Sequence, residues 1–187
     1  MMRKPIDLNS LISSYKDLPT ENFNFFQNFF SFSMRDDEID QIASFTDNIS
    51  VESKYLGYFY VGYKIPQIDK EFDLLRFGKD YIINVEIKTK LNEEKARMQL
   101  VKNKYYLSSL GKKTKLFTYV AEENSLYLLD DDELFQPTDF STFELLLVSQ
   151  KLEHHTNIDD LFDPSEFLLS PFNDCDRFIS GSYSSLY

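Results

Sequence analysis

Two acidic side chains and one lysine between residues 70 and 90 have the types and spacing of a metal-dependent site. The stretch reads KEFDLLRFGKDYIINVEIKTK, and its two apolar runs around Gly78 are typical of a β-hairpin. Because side chains alternate between the faces of a strand, Glu86 and Lys88 share one face. Hard cations such as Mg²⁺ take oxygen ligands, usually one or two carboxylates with water and phosphate. Asp73 and Glu86 therefore suit such a cation, and Lys88 suits a water or a charged transition state beside it.

The register of the hairpin decides whether Asp73 and Glu86 can meet. In an antiparallel pair, the numbers of opposed residues have a constant sum. A sum of 159 places Asp73 directly opposite Glu86, whereas 157 places it opposite Asn84 and roughly 7–8 Å from Glu86 along the diagonal. An even sum would put the carboxylates on opposite faces, because a one-residue slip reverses every side chain. We predict an odd sum, with both acids within reach of one ion.

Asp73 followed by Glu86-Ile87-Lys88 on an apolar strand resembles the PD-(D/E)xK nuclease superfamily, which includes restriction-endonuclease-like and RecB-like members. Asp73 matches the aspartate of the family and Glu86 to Lys88 match its E-x-K, whereas Phe72 stands in place of the proline. The resemblance implies that Asp73, Glu86 and the Ile87 carbonyl hold Mg²⁺ or Mn²⁺. It also implies that Lys88 orients or deprotonates the attacking water.

Residues 92–110 predict a helix directly after the E-x-K strand, with Asn92 as its N-cap. Three of its side chains recur at i, i+4 and i+7 and so share one face: Gln99, Asn103 and Tyr106. RecB-like nucleases carry a glutamine and a tyrosine on this helix, near the active site. The resemblance matches this glutamine to Gln99 and this tyrosine to Tyr105 or Tyr106. The alternative is that the two tyrosines only pack against the core.

Charge is distributed unevenly along this acidic chain, whose net charge is −11. Residues 86–115 hold nine Lys or Arg and three Glu, a net of +6, and the remainder of the chain therefore carries −17. A basic cluster on the E-x-K strand and its helix suits contact with a phosphate backbone. The side chains predicted to bind nucleic acid are Lys90, Lys95, Arg97 and Lys102. A solvated helix face is the alternative for each of them.

Three helices are predicted before the hairpin, over residues 5–18, 20–32 and 35–45. In the second helix, aromatic side chains at helical spacing predict contact with the core: Phe26, Phe29 and Phe30. In the third helix, three side chains are predicted to point inward: Ile39, Ile42 and Phe45. An early helix in the resembled family often supplies a further acid, which would be Glu38 or Asp37 here. A solvated first turn is the alternative for both.

The order of the remaining elements predicts an α/β fold. Strands are expected over residues 54–65, on either side of Gly78, and over 115–121 and 125–129. This β-β-β-α-β-β order matches the restriction-endonuclease-like core, and the resemblance implies a mixed central sheet flanked by helices. We predict a single domain over residues 1–187, with three parts: N-terminal helices over 1–50, the nuclease core over 51–130, and a helical and irregular C-terminal extension over 131–187.

The cysteine content and the apolar runs of the chain limit its setting. A single cysteine, Cys175, excludes an internal disulfide and favours a reducing, cytoplasmic location. Apolar runs of membrane-spanning length are absent from the sequence, so no membrane partner is expected. Residues 170–187 resemble the stretch that leads into a Schlafen-type helicase domain in bacterial nuclease–helicase proteins, some of which act in phage defence. The resemblance therefore implies a helicase partner in cis.

These observations lead to one predicted function and two alternatives. The prediction is a Mg²⁺- or Mn²⁺-dependent DNA nuclease module, with RNA not excluded as the substrate. The first alternative is a catalytically inactive module of the same fold that binds nucleic acid or a protein partner. The second is an acidic interaction protein whose amphipathic hairpin reproduces the motif by chance.

Overall fold

The computed structural model describes residues 3–66, 68 and 70–162. The helices are α1 (Leu8–Asp17), α2 (Thr20–Phe30), α3 (Asp36–Asp47), α4 (Glu93–Ser108) and α5 (Phe140–Ser149). The strands are β1 (Phe59–Lys64), β2 (Glu71–Phe77), β3 (Tyr81–Lys88), β4 (Lys113–Val120), β5 (Ser125–Leu129) and β6 (Phe135–Thr138). Short 3₁₀ turns lie at Ser53–Leu56 and Ile158–Leu161. Cys175 and the helicase-like stretch 170–187 lie outside the described residues.

All six strands form one sheet, in which the spatial order is the same as the order along the chain. The strands β3 and β4 are parallel, and the other neighbouring pairs are antiparallel. A parallel pair needs a long crossover, which α4 provides between β3 and β4. The chain is therefore an α/β protein with a mixed sheet flanked by helices, as the sequence predicted at this level.

Helices cover both faces of the sheet and enclose two apolar cores. The first core joins α1, α2, α3 and α5 to one face, where Ile39, Phe45 and Phe143 are fully buried. The second core lies under α4 on the other face, where Leu100 and Leu107 meet strand residues. Burial on both faces explains why β3 is apolar along most of its length.

The helix boundaries follow from capping groups in the sequence. The Asn92 side chain accepts a hydrogen bond from the Lys95 N–H at the start of α4, as its predicted N-cap role requires. Gly111, just after α4, has φ of 69°, a left-handed conformation that favours glycine. The three inward-facing residues predicted for the third helix are all fully buried: Ile39, Ile42 and Phe45. Those predictions are confirmed.

The predicted core role of Phe29 is wrong. Phe29 is 55% exposed, and its neighbour on the same face of α2, Phe25, is 77% exposed. Phe26 and Phe30 are partly buried and pack against the first core, as expected. The helix contacts the rest of the protein along one side, so an aromatic that falls just beyond that side remains in solvent.

The sheet continues past residue 130, where the predicted nuclease core ends. Strand β6 pairs with β5 along its whole length, and α5 places Phe143 and Leu147 in the first core. Beyond α5, the segment 150–153 returns to the β2–β3 turn, where the Lys79 N–H donates to the Lys151 carbonyl over 2.8 Å. Of the helices that the structure describes, none is long and apolar enough to cross a membrane.

Candidate active site

The register of the β2–β3 hairpin brings the two predicted acids to one position. Leu74 pairs with Val85 and Leu75 with Asn84, so the numbers of opposed residues sum to 159. Continued by one residue, this register places Asp73 opposite Glu86. The predicted odd register is confirmed, and of the two odd sums considered it is the one with direct opposition.

Asp73 lies where the two strands of the hairpin separate. The ladder between β2 and β3 ends at Leu74 and Val85, and beyond it the Asp73 Oδ2 accepts a hydrogen bond from the Ile87 N–H over 2.8 Å. The N–H and C=O of one strand residue point in the same direction, so the Ile87 carbonyl also lies on the Asp73 side. Asp73 and Ile87 thus provide adjacent oxygen atoms at this fork.

Glu86 is 1% exposed and is held by donors from two elements. Its Oε1 accepts from the Asn84 Nδ2 over 3.2 Å and from the Asn103 Nδ2 over 2.8 Å. Its Oε2 accepts from the Gln99 Nε2 over 3.2 Å and lies 3.8 Å from the Lys88 Nζ. The prediction that Gln99 faces Glu86 and Lys88 from the helix is confirmed.

A polar cavity of about 250 Å³ opens at the fork between the hairpin and α3. Asp73, Ile87 and Lys88 line one side of it. The loop before α3, its first turns and the end of β3 complete the lining: Met34, Arg35, Asp37, Glu38, Gln41 and Thr89. Glu86 is buried and does not line the cavity. A ligand at this site would reach Asp73 and Lys88 first.

The electrostatics of the fork favour a bound cation. Burial, and secondarily the charge of Glu86, raise the pKa of Asp73 to about 7. The Lys88 charge, the Ile87 N–H and the Lys70 charge act in the opposite direction. A cation bound between the two carboxylates would reverse this shift, because it favours the ionised form of Asp73.

The donor atoms fit a hard divalent cation. Among the described residues, the Asp73 Oδ1 receives no hydrogen bond, so it is available to a ligand. With the Ile87 carbonyl and the second carboxylate, Glu86, the fork offers oxygen atoms only, which Mg²⁺ and Mn²⁺ prefer. Within the described part of the chain, no three His, Cys, Asp or Glu side chains are grouped to hold one ion. A cation here would take its other ligands from water or substrate.

The additional acids and the tyrosine have structural contacts of their own. Glu38 lines the cavity, but its carboxylate also accepts from the Arg35 N–H over 2.8 Å and from its guanidinium over 3.1 Å, which caps α3. Asp37 lies 3.4 Å from the same guanidinium. Tyr106 is fully buried in the second core, as the packing alternative for this residue states.

The predicted nucleic-acid contacts differ in their surroundings. Lys95 is exposed on α4, and Lys90 is exposed and pairs with Glu122 over 3.5 Å. Arg97 donates instead to the Glu133 carbonyl over 3.2 Å, which attaches α4 to the β5–β6 turn. Lys102 is partly buried, and its charge helps to lower the pKa of Lys70. Lys95 is therefore the clearest candidate for a phosphate contact.

Two residues of the site were not singled out from the sequence. Lys70 is only 4% exposed, and its Nζ donates to the Glu71 carbonyl over 2.5 Å beside the two acids. Burial lowers the pKa of Lys70, and the charges of Glu86 and Asp73 oppose that shift. Asn84 is fully buried and bonds to Glu86. An asparagine two residues before the glutamate, on the same face of an otherwise apolar strand, is a sequence signal that could have identified Asn84.

Comparisons with known proteins find no relative of this chain. The chain matches no protein-family model, no curated protein and no solved structure. The basis for a functional assignment is therefore the arrangement of Asp73, Glu86, Lys88 and Gln99 around one fork of the sheet.

Proposed function

We propose that the chain is a Mg²⁺- or Mn²⁺-dependent deoxyribonuclease module of the PD-(D/E)xK type. The observation that carries this proposal is the register of the hairpin, which, extended by one residue beyond the last pair, sets Asp73 opposite Glu86. Lys88 lies 3.8 Å from the Glu86 carboxylate and lines the same cavity as Asp73. An acid pair, a lysine and a polar cavity beside one strand fork suit metal-assisted phosphodiester hydrolysis.

Each side chain has a role that follows from its place. Asp73, Glu86 and the Ile87 carbonyl would hold the ion, which supplies charge stabilisation for the phosphate and lowers the pKa of water. Lys88 reaches the cavity and orients the attacking water or takes its proton. Gln99 holds the Glu86 carboxylate from α4 and so fixes the direction of its free lone pairs. The leaving oxygen takes its proton from solvent.

The arrangement of elements also supports the restriction-endonuclease-like part of the proposal. A mixed sheet carries the acids on one hairpin, and the crossover helix directly after the E-x-K strand brings Gln99 to the site. Three helices precede the sheet, and α3 forms the opposite wall of the cavity. This is the order of elements that the resemblance implies.

A second candidate function is a catalytically inactive module of the same fold that binds nucleic acid or a protein. The burial of Glu86 favours this alternative, because the carboxylate is 1% exposed and already accepts three amide hydrogen bonds. An inactive module would keep Glu86 as a structural group of the core. Nucleic-acid binding without cleavage is the result that this alternative predicts.

Cleavage assays distinguish the candidates. Purified chain is incubated with single- and double-stranded DNA and RNA in Mg²⁺, Mn²⁺ or EDTA, with Lys88→Met as the matched control. The proposal predicts metal-dependent DNA cleavage that Lys88→Met slows by roughly 10²-fold or more. Binding without cleavage would support the inactive module, and neither binding nor cleavage would support the acidic interaction protein.

The helicase domain in cis stays a prediction, because residues 170–187 lie outside the described structure. The resemblance of that stretch implies that the nuclease acts on DNA presented by a motor domain. The reading frame that encodes the chain tests this directly, since a Walker A motif downstream of residue 187 would place both activities in one protein.

A further inference from the structure

Asn84 connects the strand that carries Asp73 to the carboxylate of Glu86. Its Nδ2 donates to the Leu74 carbonyl over 3.0 Å and to the Glu86 Oε1 over 3.2 Å. Leu74 follows Asp73 directly in β2, so one amide group bridges β2 and the second acid. The Asn84 side chain is completely buried, so it contacts neither solvent nor the cavity.

Asn103 holds the same arrangement from the opposite element, α4. Its Nδ2 donates to the Asn84 Oδ1 over 2.6 Å and to the Glu86 Oε1 over 2.8 Å. The amide orientation of Asn103 is determined by its neighbours, because a reversed amide would set its oxygen against the Glu86 carboxylate. Asn103 is also completely buried, so water cannot replace these two hydrogen bonds without entering the core.

We propose that Asn84 and Asn103 are positioning residues that set the spacing of the Asp73–Glu86 pair and thereby its affinity for a divalent cation. This inference rests on the proposed function, since it assumes that the pair binds the ion. Neither asparagine lines the cavity, so neither contacts substrate. Their action passes through Glu86, which they hold at a fixed distance from β2 and α4.

The hydrogen-bond chemistry explains why two amides suit this role. An ionised carboxylate only accepts hydrogen bonds, and among the described residues Glu86 accepts them from three amide N–H groups. The Lys88 ammonium lies 3.8 Å from Glu86, and the charges of Lys70 and Glu86 also interact. Amides carry no net charge, so they orient Glu86 without offsetting the charge that attracts a cation. Partners that orient a metal ligand in this way typically contribute 10- to 100-fold to metal affinity.

Binding of Mn²⁺ alone tests the inference without any activity measurement. We expect Asn103→Leu and Asn84→Ala each to weaken Mn²⁺ affinity in calorimetry by about 10- to 100-fold. Asn103→Ala serves as a second variant in case leucine disturbs packing. The control is Tyr119→Phe, which removes partly buried hydrogen bonds to Ser44 and Asn124 at the margin of the first core. Unchanged affinity in the folded asparagine variants, or an equal loss in Tyr119→Phe, would overturn the inference.

A thermal double-mutant cycle separates failure of this inference from failure of the proposed function. If Asn103 holds Glu86, Asn103→Leu should lower the melting temperature more in wild type than in a Glu86→Leu background, which has no acceptor for the Asn103 amide, by about 2–6 °C. If this difference is found but the wild-type protein binds no Mn²⁺, the proposed metal site is overturned. The hydrogen bonds by which the amides hold Glu86 are then still supported. An equal loss of melting temperature in both backgrounds would overturn the proposal that Asn103 holds Glu86.

Discussion

At the scale of single residues, Lys88 and Glu86 should fail for different reasons when replaced. Glu86 is a proposed ligand, so Glu86→Gln should weaken Mn²⁺ binding, and excess metal should restore cleavage only in part. Lys88 acts on water or the transition state, so Lys88→Met should lower turnover by roughly 10²-fold or more with metal affinity unchanged or slightly tighter. Calorimetry with Mn²⁺ and a cleavage assay on each variant check both expectations.

Lys16, which is exposed on α1, provides the matched control, and Lys16→Met should behave as wild type in both assays. A Lys88→Met variant that cleaves at the wild-type rate would contradict the mechanism. Unaltered Mn²⁺ affinity in Glu86→Gln would contradict the metal site.

Asp73 should destabilise the metal-free protein at neutral pH. Its folded-state pKa is about 7, whereas an unfolded aspartate has a pKa of about 3.9, so folding disfavours its ionised form. The penalty is absent below about pH 4, grows as pH rises to about 7, and is complete above that. We expect Asp73→Asn to raise the free energy of unfolding at pH 8 by about 1–3 kcal/mol, and to leave it unchanged at pH 4.

Denaturant unfolding in EDTA at both pH values measures this difference. Added Mn²⁺ should stabilise wild type and leave Asp73→Asn unaffected, because a bound cation favours the ionised carboxylate. A variant that is less stable than wild type at pH 8 would show that the carboxylate contributes net stabilisation through its hydrogen bond to Ile87.

At the scale of elements, the sequence predicted the features that depend on residues close together in the chain. The hairpin, the capped helix α4 and the inward face of α3 follow from alternation, an N-cap and helical spacing. Strand β6 was not predicted, because FQPT is short and contains Pro137, which sheets tolerate at an edge. The bonds from Asn103 to Asn84 and Glu86 depend on how the α4 crossover docks, which no single segment specifies.

The β2–β3 turn leaves no room for a larger side chain at Gly78. A Cβ added at Gly78 would lie 2.5 Å from the Gln150 Cγ and 2.8 Å from the Tyr81 carbonyl oxygen, and that backbone atom cannot move independently. We expect Gly78→Ala to lower the free energy of unfolding by about 1–3 kcal/mol, the scale of overpacking. Thermal or denaturant unfolding measures the loss.

Gly57→Ala is the matched control, because its added Cβ meets only ordinary contacts at 3.7 and 3.8 Å. Its effect should stay within about 1 kcal/mol, because Gly57 has φ of −83°, a conformation that alanine adopts without strain. Equal stability of Gly78→Ala and Gly57→Ala would show that the segment after α5 can move away from the turn.

At the scale of the whole molecule, an acidic protein is proposed to bind a polyanion through one basic region. The described cations of that region are partly used within the protein, as Arg97 and Lys104 contact the β5–β6 turn. Lys95 is the exposed cation on α4 nearest in sequence to the site. Lys95→Ala should reduce the slope of log K against log salt for DNA binding by about 0.9, the value for one phosphate contact.

Fluorescence anisotropy with labelled DNA in Ca²⁺, across a salt series, measures that slope. Lys16→Ala is the control for a general change in net charge and should leave the slope unaltered. An equal reduction in both variants would indicate that DNA senses total charge and not the α4 surface.

The order of strands in the sheet has a consequence for how the chain folds. Among the described strands, each antiparallel neighbour follows its partner directly, so these pairs can form as local hairpins. The parallel β3–β4 pair must wait for α4, since its crossover closes a longer loop. We therefore expect Asp73 and Glu86 to meet in a solvated hairpin before Gln99 and Asn103 arrive. Docking of α4 buries an anionic pair, and we expect it to be the folding step that divalent ions accelerate.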